Sequence, residues 1–179
     1  MKGCIHLYTG KGKGKGKTTV AFGLAVRALC AGQNVYIGQF VKSIKYNETK
    51  IEKLFDGTEP AFGRLSVEQL GRGCFIGRQP ESADITIAEG GLARCTAQIA
   101  SGAWDMVILD ELTIAIHFGL LSTGAVLENL HRRTPSAEGV ITGRYAPQEL
   151  IDAADLVTEM RETKHYYTQG LLSRDGIDR

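Results

Sequence analysis

Short apolar runs alternate along the chain with longer segments in which apolar residues recur every three or four positions. The short runs are bounded by turn residues, a pattern typical of strands buried on both faces. Strands are predicted at residues 4–8, 34–41, 64–70, 106–109, 139–142 and 155–158. Helices are predicted at residues 17–30, 48–55, 82–100, 112–118, 123–132 and 147–153.

This order of elements predicts a fold class. Strands that alternate with helices form parallel sheets, so we expect an α/β fold with a mainly parallel sheet between two helical layers. Helix ends are predicted at Gly32 and Gly119, and a helix start at Ser122 or Thr123. The stretch 57–80 is rich in Gly and Arg and is predicted to be one short strand flanked by mobile loops.

Composition and charge narrow the classes of function. The chain has 179 residues, 21 Lys or Arg, 20 Asp or Glu, a formal net charge of +1 and 7% aromatic residues. Neither a polybasic arm nor a stacking surface for nucleic acid is expected from such values. No linker or internal repeat divides the sequence, so residues 1–179 are expected to form one globular domain.

The cysteines and the N-terminal sequence indicate the cellular compartment of the protein. The four cysteines lack a C-x-x-C pair and a histidine at zinc-ligand spacing, which argues against a zinc knuckle and a disulfide framework. The N-terminal sequence MKGCIHLYTG lacks the apolar core of a signal peptide. No run reaches the roughly 18 apolar residues of a membrane span. We therefore expect a cytoplasmic protein that has no membrane partner.

A loop rich in glycine and lysine joins the first predicted strand to the first predicted helix. Residues 8–19 read YTGKGKGKGKTT, and this strand, loop and helix context is that of a phosphate-binding P-loop. Glycines let backbone N–H groups face phosphate oxygens, and the helix N-terminus adds partial positive charge. Lys17 is expected to face solvent until it reaches the triphosphate, while Thr18 offers a hydroxyl to Mg²⁺. The candidate nucleotide-binding residues are Gly10, Lys11, Gly12, Lys13, Gly14, Lys15, Gly16, Lys17, Thr18 and Thr19.

The loop is a variant of the strict pattern G-x-x-x-x-G-K-[ST], because position 11 holds Lys11 where that pattern has glycine. Lys11, Lys13 and Lys15 either touch phosphate or are solvated. A flexible basic linker is the alternative interpretation of the whole loop. A linker, however, has no reason to lie between an apolar strand and an amphipathic helix.

An apolar run that ends in acid predicts the second half of the nucleotide site. Residues 106–111 read MVILDE, so a buried strand would carry Asp110 and Glu111 to its carboxyl end beside the P-loop. Such a Walker B acid pair holds Mg²⁺ directly or through water. The alternative, a plain helix cap, is less favoured once a P-loop precedes it. The candidate metal site is Thr18, Asp110 and Glu111, and Arg144, after another buried strand, is expected to point into the same crevice.

Spacing alone does not decide whether the attack on the nucleotide falls on phosphorus or on carbon. Several motifs, in order over almost the whole chain, resemble those of the P-loop type of ATP-dependent corrinoid adenosyltransferase. They are YTG and GKGKTT followed by AFGLA, QFVK at 39–42, ILDEL at 108–112, ITGR at 141–144 followed by AP, and the tail LVTEM, KH and GI from 156 to 177.

The resemblance implies transfer of the 5′-deoxyadenosyl group of ATP to Co(I) of a corrinoid, with release of triphosphate. Because Co(I) is itself a strong nucleophile, no protein base is needed. The P-loop amides, Lys17 and Mg²⁺ then stabilise charge on the departing triphosphate, and the implied catalytic residues are Lys17 and Arg144, the arginine of the family's TGR motif. The resemblance also implies ATP as co-substrate, Mg²⁺ as cofactor and a homodimer, and it leaves room for an electron-donor protein as partner.

Two segments differ from the family pattern. The family loop reads TG-x-GKGKTT, so this chain has two more residues between Gly10 and Lys17. The family segment G-F-x-W crowds the lower corrin face, which makes Co(II) easier to reduce. Here residues 73–77 read GCFIG, and Phe75, or else Ile76, is the implied contact at that face, with ordinary packing as the alternative role.

Two other functions stay open from the residues alone. One is a P-loop ATPase or kinase that cleaves the γ-phosphate. The other is a RecA-like module that binds nucleic acid, for which the near-neutral charge supplies little attraction.

Overall fold

The structure is a computed structural model that describes residues 2–10, 16–73 and 79–177. Its strands are β1 (Ile5–Thr9), β2 (Val35–Phe40), β3 (Leu65–Leu70), β4 (Met106–Asp110), β5 (Glu138–Thr142) and β6 (Leu156–Glu159). Its α-helices are α1 (Lys17–Cys30), α2 (Ser82–Ala100), α3 (Leu112–His117), α4 (Thr123–His131) and α5 (Gln148–Ala153). Two 3₁₀ segments cover Asn47–Leu54 and Tyr166–Gln169.

All six strands form one sheet in the order β3-β2-β4-β5-β1-β6, and every neighbouring pair is parallel. The prediction of an α/β fold with a mainly parallel sheet is confirmed. Because all strands run the same way, their carboxyl ends meet at one edge. The strand order places β5 between β1, which leads into the glycine-rich loop, and β4, which carries the acid pair.

Alternating residues of each strand supply two hydrophobic cores, one on each face of the sheet. One core packs beneath α1 and the Asn47–Leu54 segment and includes Val35, Ile37, Ile108 and Val140. The other packs beneath α2, α3, α4 and α5 and includes Tyr36, Phe40, Val107 and Ile141. The chain is therefore a three-layer α/β/α sandwich, in agreement with the prediction.

The predicted helix boundaries have clear local causes. Gly32 and Gly119 follow their helices with φ of 79° and 72°, the left-handed region that glycine adopts without strain. Ser122 is the N-cap of α4, and its hydroxyl accepts a hydrogen bond from the Ala125 amide at 3.1 Å. Of the two N-cap candidates, Ser122 is thus the one that caps the helix.

One element differs in type from the prediction. Residues 47–54 form a 3₁₀ segment rather than the α-helix expected at 48–55. The hydroxyl of Thr49 donates to the carbonyl oxygen of Tyr46 at 2.7 Å, and such local side-chain bonds compete with α-helical hydrogen bonding. The short strand predicted between residues 57 and 80 is confirmed as β3.

Two further features bear on the expected class of protein. Within the described residues, no helix combines the length and the apolar character needed to cross a membrane. Cys4, Cys30 and Cys95 are free thiols. Cys74 lies outside the described residues.

Candidate active site

Glycines close both described ends of the predicted phosphate loop. A Cβ on Gly10 would lie 2.3 Å from the carbonyl oxygen of Met160, so only glycine fits there. Gly16 has a φ of 123°, which disfavours other residues, and a Cβ there would lie 3.1 Å from Met160 Sδ. Met160 therefore lies against both ends of the loop. The other predicted loop residues, Lys11, Gly12, Lys13, Gly14 and Lys15, lie outside the described residues.

Asp110 is fully buried at the carboxyl end of β4 and accepts four hydrogen bonds. Its Oδ1 accepts from the hydroxyls of Thr18 at 3.0 Å and Thr142 at 2.7 Å. Its Oδ2 accepts from Gln39 Nε2 at 2.9 Å and Lys42 Nζ at 2.8 Å. A carboxylate has about four acceptor positions, so the hydrogen-bonding capacity of Asp110 is filled.

These partners keep Asp110 ionised despite its burial. Burial alone would raise its pKa, but the charge and hydrogen bond of Lys42, with the hydrogen bonds of Thr142 and Gln39, hold the pKa below its usual value. Burial alone would likewise lower the pKa of Lys42, and Asp110 raises it above its usual value. Both groups are therefore charged over the whole neutral range.

Glu111 lies at the turn between β4 and α3 in a different environment. Its backbone has a φ of 60°, and its amide donates to the Thr142 hydroxyl at 2.9 Å. Within the described part of the chain, no hydrogen bond or ion pair joins its carboxyl group to another side chain. Burial and the negative charge of Asp110 raise its pKa, against the opposing effects of Lys42, Lys17 and Arg144. Among the residues that the structure describes, none takes up the carboxylate oxygens of Glu111, which suit an incoming ligand.

Lys17 is the first residue of α1 and is buried, with 6% of its surface exposed. The expectation that it faces solvent was wrong. The side chain lies instead close enough to Glu111 and Arg144 for their charges to act on it. Burial lowers its pKa, as does Arg144, whereas Glu111 and Glu162 raise it.

Arg144 follows β5 and is half-buried at the same edge of the sheet. Gly143 before it has a φ of 136°, and a Cβ there would lie 2.2 Å from the Thr113 hydroxyl. That hydroxyl donates to the Arg144 carbonyl oxygen at 2.7 Å, which ties the turn to the start of α3. The close packing fixes the backbone from which Arg144 extends.

The structure thus brings Lys17, Thr18, Asp110, Glu111 and Arg144 together at one edge of the sheet. Thr19, the last residue of the predicted loop, is exposed on α1. Phe75 and Ile76 lie outside the described residues.

Sequence reasoning missed the donors that surround Asp110. Gln39, Lys42 and Thr142 were quoted only as parts of motifs, without a role in the site. Each lies at or just beyond the carboxyl end of a buried strand. A polar residue in the last two positions of an apolar strand is a signal that could have identified Gln39 and Thr142, whereas Lys42 lies beyond β2 and carries no such signal.

The donor atoms fit a magnesium ion better than a softer metal. Thr18 and Glu111 offer hard oxygen ligands, and Mg²⁺ in proteins typically takes one or two carboxylates together with substrate phosphates. No cluster of three or more His, Cys, Asp or Glu side chains able to hold a metal occurs in the described residues. Because the hydrogen-bonding capacity of Asp110 is filled, it fits a role behind Thr18 rather than a direct ligand.

Comparison with known proteins identifies the family. Residues 1–178 match the family model described as ATP:corrinoid adenosyltransferase BtuR/CobO/CobP. The chain belongs to this family. The resemblance to corrinoid adenosyltransferases inferred from the motifs is thereby confirmed, and the six-stranded parallel sheet is consistent with a P-loop NTPase-like fold.

Curated relatives agree with the family assignment. A corrinoid adenosyltransferase of Pseudomonas aeruginosa is 34% identical, with 97% of this chain and 81% of the relative covered. The corrinoid adenosyltransferase CobA of Salmonella typhimurium is 33% identical over 99% of this chain and 86% of the relative. A corrinoid adenosyltransferase of Escherichia coli K12 is 31% identical over 99% of this chain and 86% of the relative. Membership of an adenosyltransferase family favours attack on carbon over γ-phosphate cleavage and over a nucleic-acid module.

Proposed function

We propose that this protein transfers the 5′-deoxyadenosyl group of ATP to the Co(I) centre of a corrinoid and releases inorganic triphosphate. The observation that carries the proposal is the arrangement around Asp110. This buried carboxylate fixes Thr18 at the start of α1, beside Lys17 and within the electrostatic reach of Arg144. A nucleotide triphosphate is the ligand that such a basic edge with a glycine-bounded loop suits.

In the proposed reaction the electron pair of Co(I) attacks the 5′ carbon of ATP. The cobalt–carbon bond forms as the bond from the 5′ carbon to oxygen breaks, and the bonding pair leaves with triphosphate. Lys17 and Arg144 stabilise this growing negative charge, and the loop holds the phosphates so that the 5′ carbon faces the cobalt. No side chain has to remove a proton.

We also propose that Thr18 and Glu111 hold Mg²⁺ on the triphosphate, with Asp110 acting through Thr18. Bound Mg²⁺ neutralises charge on phosphate oxygens. The hydroxyl of Thr18 donates its proton to Asp110 Oδ1, which leaves its lone pairs available to a cation. Glu111 supports the same role because burial disfavours its free charge, and a cation would offset that cost.

The wider setting of the reaction is proposed on the family resemblance. Phe75 is assigned to the lower corrin face, where crowding would ease reduction of Co(II) to Co(I). A homodimer in the cytoplasm, supplied with electrons by a donor protein, completes the proposal. Phe75→Ala should slow the reaction that starts from Co(II) far more than the one that starts from Co(I), and equal effects would assign Phe75 to packing.

Product analysis tests the function directly. The protein is incubated with ATP, Mg²⁺ and chemically reduced cobalamin under anaerobic conditions, and the products are separated by chromatography. We expect triphosphate and a light-sensitive adenosylated corrinoid in equal amounts. Lys17→Ala should abolish both products, while the exposed Lys53→Ala serves as the matched control. ADP and phosphate as the main products would instead indicate an ATPase or kinase.

A further inference from the structure

A second lysine, Lys42, occupies the site on the side of Asp110 opposite Thr18. Its Nζ lies 2.8 Å from Asp110 Oδ2. The residue before it, Val41, has a φ of 62°, which is rare and strained for a β-branched side chain. Gly71 packs against this turn, since a Cβ there would lie 2.6 Å from the Val41 nitrogen. A strained and tightly packed turn therefore fixes the backbone position from which the Lys42 side chain extends.

The surroundings of Lys42 direct it to Asp110 rather than to solvent. Its side chain is 15% exposed, and its next carboxylate neighbour, Glu48 Oε1, is 3.8 Å away. The ring of Tyr46 lies 5.7 Å from Nζ. The contact with Asp110 is the shorter and better buried of its two ion pairs, so Lys42 serves mainly as the counter-ion of that carboxylate.

A row of polar side chains supports the same carboxylate oxygen. Gln69, Gln39 and Asp110 lie directly opposite one another on β3, β2 and β4. Gln69 Nε2 donates to Gln39 Oε1 at 2.7 Å, and Gln39 Nε2 donates in turn to Asp110 Oδ2. Lys42 and this row hold Oδ2 from one side, so Oδ1 faces Thr18 and Thr142.

We propose that Lys42 is a positioning residue for the Mg²⁺ that accompanies ATP, and that it acts through Asp110 and Thr18. By holding Asp110 Oδ2, it keeps Oδ1 in place to accept the proton of the Thr18 hydroxyl. That hydroxyl then presents its lone pairs to the cation. The inference rests on the proposed function only for the identity of the nucleotide and its metal.

Binding of ATP with and without Mg²⁺ separates this role from two others. A lysine that touched phosphate directly would strengthen ATP binding equally in both conditions. A lysine that only stabilised the fold would change the melting temperature and leave the ratio of the two dissociation constants unchanged. A positioning residue for Mg²⁺ changes that ratio.

The experiment is isothermal titration with ATP, in excess EDTA and in excess Mg²⁺, for the wild type, Lys42→Gln and Lys45→Gln. Lys45 is the matched control, a lysine of the same segment with 55% of its side chain exposed and paired with Glu52 rather than Asp110. Removing a group that orients a metal ligand typically lowers metal affinity by about 10- to 100-fold. We expect Lys42→Gln to lower the Mg²⁺-dependent gain in ATP affinity by about 10-fold or more. Lys45→Gln should retain the gain.

If folded Lys42→Gln keeps the Mg²⁺-dependent gain in ATP affinity of the wild type, the inference is overturned. An equal loss of ATP affinity in EDTA and in Mg²⁺ would also overturn it. If Lys42→Gln does not fold, Lys42→Arg is measured in its place. Arginine keeps the charge but moves it, because the guanidinium is a planar fork rather than a point charge. The Mg²⁺-dependent gain should then fall by a smaller factor, and an unchanged gain would overturn the inference. These titrations contain no corrinoid, so their outcome is independent of whether product analysis supports adenosyl transfer.

Discussion

Asp110 and Glu111 are adjacent carboxylates with opposite electrostatic environments. Asp110 is surrounded by four donors, one of them a cation, and its pKa is lowered. Glu111 is next to this negative charge, and its pKa is raised by burial and by Asp110. One acid is therefore satisfied by the fold, while the other is left for a ligand. The difference follows from position, because Asp110 ends the buried strand β4 whereas Glu111 begins the left-handed turn that leads into α3.

The raised pKa of Glu111 predicts how its removal changes stability. The unfolded chain ionises this group near its usual pKa of 4.5, whereas the folded protein holds the proton to higher pH. Ionised Glu111 therefore costs folding free energy at neutral pH, and the cost sets in as pH rises above 4.5. We expect Glu111→Gln to raise the free energy of unfolding at neutral pH, because glutamine keeps the shape of the side chain but carries no charge to be buried.

Urea denaturation in metal-free buffer at several pH values measures this effect. The difference between Glu111→Gln and the wild type should shrink as pH falls and vanish well below 4.5, where both the folded and the unfolded states carry the proton. Glu89→Gln, a change at an exposed position of α2, is the control and should alter stability little. A Glu111→Gln protein less stable than the wild type at neutral pH would contradict the assignment.

At the scale of elements, the contact between α2 and β2 depends on a glycine. A Cβ on Gly38 would lie 2.6 Å from Cys95 Sγ and 2.7 Å from Leu70 Cδ1, and both side chains are buried in the core. Overpacking of a filled core typically costs about 1–3 kcal/mol. We expect Gly38→Ala to lower the free energy of unfolding by this amount.

Gly23 provides the matched control for this prediction. It lies within α1, and a Cβ there would meet nothing within 4 Å. Glycine inside a helix is less stable than alanine by roughly 0.5–1 kcal/mol, so Gly23→Ala should stabilise the protein. Chemical denaturation of both variants tests the pair. If Gly38→Ala were as stable as the wild type, α2 would not approach β2 as closely as described.

The elements show which parts of the fold a sequence can reveal. The strands and most helices were predicted within one or two residues, because buried strands read as apolar runs and helices as periodic ones. The segment 47–54 was predicted with the wrong helix type, because the apolar periodicity does not show the local hydrogen bond from the Thr49 hydroxyl to the Tyr46 carbonyl oxygen. Lys42 and Gln39 were missed because their role depends on the register of β2 against β4. Nothing in the local sequence specifies that register.

At the scale of the whole molecule, the thiols report on opening of the fold. Cys95 is buried in the core, and burial raises its pKa to about 12, so its reactive thiolate is scarce. Cys30 is exposed at the end of α1. In a Cys74→Ser background, a thiol reagent should modify Cys30 rapidly and Cys95 only when the fold opens.

Ligand binding should slow the modification of Cys95. A ligand that binds only the folded state stabilises it by about 2.7 kcal/mol when its concentration is 100 times its dissociation constant. Labelling that requires global unfolding should then be about 100-fold slower. Mass spectrometry of the labelled protein, with and without Mg²⁺ and ATP, gives both rates. Equal labelling of Cys95 and Cys30 in the native protein would contradict the burial of Cys95.

The whole sequence predicted the function in more detail than any single site did. The glycine-rich loop and the acid pair predicted a nucleotide site, and the structure brings Lys17, Thr18 and Asp110 to one edge. They did not predict which bond breaks, because a phosphate site serves attack on phosphorus and on carbon alike. That distinction came from motifs spread over the chain, which match the adenosyltransferase family over residues 1–178.

The position of bond cleavage is the most direct test of the account. The substrate is ATP labelled with oxygen-18 at the oxygen that joins the 5′ carbon to the α-phosphorus. It is incubated with the protein, Mg²⁺ and Co(I) cobalamin, and the masses of the products are measured by mass spectrometry. Attack on carbon predicts that the label leaves with triphosphate and that the corrinoid gains an unlabelled 5′-deoxyadenosyl group. Label found in ADP, with no adenosylated corrinoid, would contradict the proposed transfer.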